Sequence, residues 1–120
     1  MDVLHVAVDV EDMETTTGFY EDLLGLHHTR DFEVDGSYNY CVGGEGPAQI
    51  QFCEVEEKAP PAGINHLSVA VDDVDAVVAE AAAEWDSTIE SEPVTIGGEA
   101  RLAFITDPEG YSVELIEQLE

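Results

Sequence analysis

The sequence is short of positive charge. Its 120 residues include 3 lysines and arginines against 28 aspartates and glutamates, a formal net charge of −25 at pH 7. Such a surface repels phosphate backbones and anionic headgroups, which excludes nucleic acids and membrane surfaces as expected partners. The acids are scattered along the whole chain, which favours a halophilic protein adapted to molar salt over one built for a basic partner. We therefore expect low salt to destabilise the fold through unscreened repulsion.

Cysteines and long apolar runs are also scarce. Cys41 and Cys53 form neither a disulfide framework nor a metal-binding pattern, so we interpret them as small buried apolar residues. No apolar run approaches the roughly 20 residues that span a bilayer. Asp2 and His5 interrupt the short apolar start, so no signal peptide is expected. These absences predict a cytoplasmic protein.

What the sequence does contain is an internal repeat. The stretch LHVAVDVEDM, which starts at residue 4, is matched about half a chain length later by NHLSVAVDDV, so that His5 corresponds to His66. A second matched pair, IQF and VEL, lies late in each copy and makes Gln51 correspond to Glu114. The chain is therefore interpreted as one module present twice.

Each copy predicts the element order βαβββ. In the first, Asp12 or Thr15 caps a helix that Gly25 ends, and Asp35-Gly36 forms a hairpin turn. The first copy's strands are expected over 3–10, 26–34, 37–42 and 48–55, and its helix over about 14–24. In the second copy, Asp72 or Asp73 caps a helix over 74–85, and the strands are expected over 64–71, 88–94, 100–106 and 111–119.

The two modules are expected to form a single domain, because about 60 residues bury too little core alone. Module 1 spans about 1–56 and module 2 about 64–120. The polar segment between them, 57–63, contains Pro60 and Pro61 and is interpreted as a hinge.

Strand alternation places one polar side chain early and one late in each copy, opposite in parity to the apolar residues that suit the helices. These four residues are His5, Gln51, His66 and Glu114. If each sheet curves around a cavity on that face, two imidazoles, an amide oxygen and a carboxylate converge with two coordination positions open. This donor set suits divalent Mn, Fe, Co, Ni or Zn. His27 and His28 have no repeat counterpart and are interpreted as strand or loop residues.

Together with these residues, the opening LHVAVDVEDMETTTGFYEDLLGL, the stretch INHLSVAVDDVDA and the ending AFITDPEGYSVELIE resemble the vicinal oxygen chelate superfamily. That superfamily includes glyoxalase I, extradiol dioxygenases, methylmalonyl-CoA epimerase and bleomycin-binding proteins. The resemblance implies an α+β fold of two tandem βαβββ modules forming a partial barrel around a cavity with one divalent metal. It also implies a homodimer, a small-molecule substrate and a ligand set at His5, Gln51, His66 and Glu114.

Within the superfamily, the ending and residues 37–52 look most like bacterial glyoxalase I, which isomerises the hemithioacetal of methylglyoxal and a thiol to a lactoyl thioester. This implies a metal-dependent lyase or isomerase with Glu114 as proton shuttle. Gln51 stands where glyoxalase I carries Glu, and Asp9 where it carries an Arg for glutathione, so glutathione is not the expected thiol. An extradiol-type dioxygenase using His5, His66 and Glu114, and a metal-free binding protein of the bleomycin-resistance kind, remain alternatives.

Overall fold

The computed structural model describes residues 1–119, and the chain divides into two compact units, Met1–Ala59 and Pro60–Glu120. Each unit is a four-stranded sheet with helical structure against one face, and the predicted order βαβββ is confirmed in both. Within residues 1–119, no helix is long and apolar enough to cross a membrane.

Unit 1 begins with a strand and a short helix that continues into a π-helical turn, Phe19–Leu23. Its sheet has the order β1-β4-β3-β2, in which β1 runs parallel to β4 and the other neighbours are antiparallel. Its elements are β1 (His5–Val10), α1 (Met13–Gly18), β2 (His27–Val34), β3 (Ser37–Gly43) and β4 (Gln49–Glu54).

The helical segment of unit 1 differs from the single helix predicted over 14–24. Asp12 is the N-cap, and its carboxylate accepts hydrogen bonds from the backbone N–H and the hydroxyl of Thr15, at 3.0 and 2.7 Å. After α1 the backbone widens into the π-helical turn, where the Leu24 N–H donates to the Phe19 carbonyl. Gly25, at φ +74°, ends the segment as predicted.

The core of unit 1 lies between its helical segment and one face of its sheet. Val8, Val10 and Phe52 are buried on that face, and the rings of Tyr20 and Phe52 pack with centroids 5.0 Å apart. Fully burying side chains of this size contributes about 1.5–3 kcal/mol each. The opposite face of the sheet, which we call the site face of unit 1, carries the residues of alternate parity.

Unit 2 repeats this plan with a longer helix. Its sheet order is β5-β8-β7-β6, with β5 parallel to β8 and the other neighbours antiparallel. Strand β5 is shorter than the predicted 64–71, so His66 lies directly before it. The elements are β5 (Leu67–Ala70), α2 (Val74–Glu84), β6 (Ile89–Ile96), β7 (Ala100–Thr106) and β8 (Ser112–Gln118).

Helix α2 covers the apolar face of the second sheet. Asp73 is its N-cap and accepts a hydrogen bond from the backbone N–H of Ala76 at 3.1 Å. Val74, Val78 and Ala81 are buried, whereas Ala82 is exposed. The face of this sheet turned away from α2 is called the site face of unit 2.

Candidate metal centre

The first half-site, His5 and Gln51, lies on the site face of unit 1. Strands β1 and β4 are paired so that His5 lies opposite Gln49 and Ala7 opposite Gln51. Side chains on paired residues share a face, so His5 and Gln51 are diagonal neighbours on the same side of the sheet. Their neighbour Phe52 points into the core. The register therefore places both side chains on the face of the sheet that the sequence predicts.

The amide of Gln51 has a defined orientation because of Asn39. The Asn39 amide nitrogen donates to the backbone carbonyl of Ser37 at 3.1 Å, which leaves its Oδ1 as an acceptor. Gln51 Nε2 donates to that oxygen at 3.0 Å. The remaining atom of the Gln51 amide, Oε1, is the one suited to coordinate a cation. Asn39 is 5% exposed, so its hydrogen bond to Gln51 is largely shielded from water.

The second half-site, His66 and Glu114, lies on the site face of unit 2. Ser68 is opposite Glu114 in the β5–β8 pairing, and His66 lies two residues before Ser68, just as His5 lies two residues before Ala7, the partner of Gln51. His66 Nε2 lies 3.5 Å from Glu114 Oε1, and the Ser68 hydroxyl donates to the same oxygen at 3.0 Å. The register therefore places the two half-sites at equivalent points of the repeat.

The imidazole of His66 is held on two sides. Its Nδ1 lies 2.7 Å from Oδ1 of Asn65, which can only accept a hydrogen bond, so the proton belongs on Nδ1. Nε2, the nitrogen left to bind a cation, faces Glu114. The ring also packs edge-on against Phe104, with centroids 5.2 Å apart and planes at 87°. A fixed tautomer and ring orientation are what a metal-ligating histidine requires.

The turn before β8 sets the position of Glu114. Oδ1 of Asp107 accepts hydrogen bonds from the backbone N–H groups of Glu109 and Tyr111, at 2.9 and 3.0 Å. Gly110 adopts φ +91°, a conformation that glycine accepts without strain. Asp107 is itself 5% exposed. The DPEGY sequence thus forms a tight turn, buried at Asp107 and Tyr111, that starts β8 in a fixed register.

Three supporting residues are not identified by the sequence pattern: Asn39, Asn65 and Ser68. They do not ligate in the predicted scheme but orient the residues that do. Ser68 has the same strand parity as His66 and so lies on the predicted face. The roles of Asn39 and Asn65 depend on side-chain hydrogen bonds, which the strand pattern does not show. Asn65, directly before His66, offers a local signal, since short polar side chains often bond to a neighbouring residue.

A separate group of carboxylates lies at the start of α2. Among residues 1–119, Asp73, Asp75 and Glu117 have ligand atoms within 4.8 Å of one another. Each has a structural partner: Asp73 caps the helix, Asp75 binds Arg101 through two hydrogen bonds, and Glu117 accepts from the Val74 N–H. These contacts account for the cluster, which lies outside the predicted ligand set.

The cysteines and the remaining histidines are placed as the sequence predicts. Cys41 is buried and free; Cys53 is partly buried, and burial raises the pKa of its thiol above the ordinary value. His28 pairs with Asp31 at 2.7 Å and packs against Tyr40, which gives it a structural role.

Comparison with known proteins identifies the family. The sequence profile of the Glyoxalase/Bleomycin resistance protein/Dioxygenase superfamily matches residues 2–115. The chain belongs to this superfamily. The resemblance found in the sequence is thereby confirmed, and so is the α+β fold class.

Among its relatives in the glyoxalase superfamily is the lactoylglutathione lyase of Haemophilus influenzae, 32% identical over 127 residues, which covers 98% of this chain and 93% of that protein. The lactoylglutathione lyase of Oryza sativa subsp. japonica is 28% identical over 125 residues, 97% of this chain but 43% of that protein. The crystal structure of glyoxalase I from Zea mays aligns with a TM-score of 0.81 at 27% identity, covering 98% of this chain and 44% of that one. This glyoxalase-superfamily chain therefore spans less than half of either plant protein.

Proposed function

We propose that the protein is a divalent-metal-dependent lyase or isomerase of the glyoxalase type. Its substrate is a small molecule with two neighbouring oxygens, such as the adduct of a 2-oxoaldehyde and a thiol. The observation that carries the proposal is the contact between His66 Nε2 and Glu114 Oε1, together with the equivalent positions of His5 and Gln51 in the strand register of unit 1. The names of the relatives in Haemophilus influenzae and Oryza sativa support the same reaction type.

The residues present fit a divalent metal. His5 and His66 offer imidazole nitrogens, Gln51 an amide oxygen, and Glu114 a carboxylate oxygen. The hydrogen bonds of Asn39 and Asn65 direct the Gln51 oxygen and the His66 nitrogen to the ligating role. Such mixed N and O donors suit Ni, Co, Zn, Mn or Fe. When bound, the ion supplies Lewis acidity at the two neighbouring oxygens of the substrate.

Glu114 transfers the proton in this proposal. Its carboxylate takes the proton from one carbon of the adduct, breaking that C–H bond, and returns it to the adjacent carbon, while the hydroxyl proton passes from one of the two neighbouring oxygens to the other. The hydroxyl of Ser68 donates a hydrogen bond to Oε1 and holds the carboxylate in position. Gln51 has no ionisable proton near neutral pH, so Glu114 carries out both transfers. Because substrate and product differ only in the position of hydrogen, no redox partner is needed.

We further propose that the protein acts as a homodimer. The maize glyoxalase I chain is more than twice the length that this chain covers, as expected if one longer chain replaces two short ones. Each half-site offers two ligands, so a complete site takes one first half-site and one second half-site. These come from the same chain or from the two subunits of the dimer.

The test is an activity assay on protein purified in high salt. Metal-stripped protein is loaded in turn with Ni, Co, Zn, Mn and, without oxygen, Fe(II). Each form is assayed with methylglyoxal and several thiols, following thioester formation. The proposal predicts isomerisation with at least one metal and none with the stripped protein. Activity independent of metal, or no isomerisation with any combination, would contradict it. Oxygen consumption with a catechol by the Fe(II) form would instead favour a dioxygenase.

A further inference from the structure

Arg30 differs from Arg101, the other arginine of this very acidic chain. The chain's three lysines and arginines are Arg30, Lys58 and Arg101. The guanidinium of Arg101 is engaged by Asp75, with two hydrogen bonds of 2.7 and 2.9 Å. Among residues 1–119, Arg30 forms no ion pair with a carboxylate. Its neighbour Asp31 instead accepts from His28 and from the hydroxyl of Tyr38.

A β-bulge determines which face of the sheet Arg30 occupies. His28 lies opposite Val42, but the register shifts by one residue before Arg30, which lies opposite Cys41. Without the shift, Arg30 would lie opposite Tyr40, on the helix-covered face. The extra residue is Thr29, whose hydroxyl donates to the Gln49 side chain at 2.9 Å. Bulges of this kind redirect side chains beside binding sites.

The same register aligns Arg30 with the first half-site. Cys41 lies opposite Arg30 on one side and opposite Gln51 on the other. The three residues therefore form a row across β2, β3 and β4, and all face the site face of unit 1. Two inter-strand steps separate the backbones of Arg30 and Gln51 by about 10 Å. A small molecule beside Gln51 is within reach of a side chain as long as that of arginine.

Phe32 supports the guanidinium from the same face. It is the next residue of β2 on the site face, and it lies opposite Asn39, which orients Gln51. The Arg30 guanidinium carbon lies 4.9 Å from the centroid of the Phe32 ring. Stacking on an aromatic ring limits the guanidinium's freedom while its N–H groups stay available to a planar anion.

We propose that Arg30 recognises a carboxylate of the substrate, so that the protein acts on acidic adducts, with the carboxylate on the thiol-derived part. This inference rests on the proposed function, since it assumes that the substrate lies beside the first half-site. A carboxylate matches the fork of a guanidinium through two parallel hydrogen bonds. The net charge of −25 repels anions in general, so an acidic substrate requires a local cation of this kind.

Binding of two chelating probes tests the inference without turnover. Succinic acid monohydroxamate carries two chelating oxygens and a carboxylate, and its primary amide counterpart lacks only the charge. Calorimetry on the zinc-loaded protein should show tighter binding of the acid. Arg30→Gln should weaken binding of the acid about 10- to 100-fold and change binding of the amide less than about twofold. Arg30→Lys, which keeps the charge but loses the planar fork, should bind the acid with an affinity between those of the unmodified protein and Arg30→Gln.

Lys58→Gln is the matched control, because it makes the same change in net charge from a loop. It should bind both probes as the unmodified protein does, and zinc content is measured in every variant. Equal weakening of both probes by Arg30→Gln, or no preference for the acid in the unmodified protein, overturns the inference. Failure of the isomerase assay alongside the predicted probe pattern would contradict the reaction and leave the role of Arg30 standing.

Discussion

The Nε2 atom of His66 lies 3.5 Å from the Oε1 atom of Glu114, although the two residues are far apart in the sequence. Parallel pairing of β5 with β8 brings them together. The hydroxyl of Ser68, directly opposite Glu114, donates a hydrogen bond to the same Oε1 atom. In the proposed centre His66 and Glu114 are two of the four protein ligands, and Glu114 is also the base.

Replacing Glu114 by Gln should remove the base while preserving the hydrogen bond from Ser68, because an amide oxygen still accepts it. We expect kcat for the adduct of methylglyoxal and a thiol to fall about 10²- to 10⁴-fold, the usual contribution of a positioned proton-transfer group. Thermal unfolding should change little. Glu80→Gln, an exposed site on α2, is the control and should retain full activity. Substantial turnover by Glu114→Gln would refute the assigned role.

Replacing Asn65 by Ala should weaken metal binding, because the Nδ1 proton of His66 loses its acceptor and the ring is no longer held in one tautomer. Losses of about 10- to 100-fold are typical when a residue supporting a ligand is removed. Asn65→Asp keeps the acceptor and should retain most of the affinity. Titration with zinc and a competing chelator measures both. Equal affinities for Asn65→Ala and the unmodified protein would show that Asn65 does not orient the ring.

Tyr40 joins β3 to the π-helical turn, since its hydroxyl donates to Glu21 at 2.5 Å. Tyr40→Phe should lower the free energy of unfolding by about 1 kcal/mol near neutral pH, because the site is only partly buried. Burial and the hydrogen bond to Glu21 raise the pKa of Tyr40 above its usual value. The stabilisation is therefore present in full below about pH 10 and is lost as the pH rises further through the raised pKa.

Urea unfolding of the unmodified protein and of Tyr40→Phe, measured at several pH values, checks both parts of this prediction. The difference between the two proteins should be constant up to about pH 9 and should narrow above about pH 10. A difference that grows at high pH would have the wrong sign and would contradict the contact.

The net charge of −25 predicts a strong dependence of stability on salt. The thermal midpoint should rise between about 0.1 M and 2 M KCl, because the Debye length falls from about 10 Å to below 3 Å and repulsion between carboxylates is screened. A neutral osmolyte at equal osmotic strength is the control and should raise the midpoint less. A midpoint that does not depend on salt would contradict adaptation to molar salt.

Much of the fold could be predicted because the repeat and the alternation in the strands specify it. The order of elements in both units, Gly25 as helix end and the site face of each ligand pair follow from local pattern. The alternatives for the helix caps were resolved by hydrogen bonds: Asp12 and Asp73 cap their helices.

Other features leave no clear trace in the pattern. The π-helical turn at Phe19–Leu23 depends on packing rather than on a distinctive sequence. The bulge before Arg30 contains neither glycine nor proline, and it moves Arg30 and Phe32 to the site face against simple alternation. Whether His5 and Gln51 join His66 and Glu114 at a single ion stays a prediction.

Metal stoichiometry is the most direct test of that prediction. Protein purified in high salt, loaded with zinc and desalted should contain one zinc per chain by elemental analysis. The double variant His5→Ala, His66→Ala should contain almost none while unfolding cooperatively, whereas His28→Ala, whose ring pairs with Asp31, should keep its zinc. A loaded protein without stoichiometric zinc, or a double variant that retains it, would contradict the proposed centre.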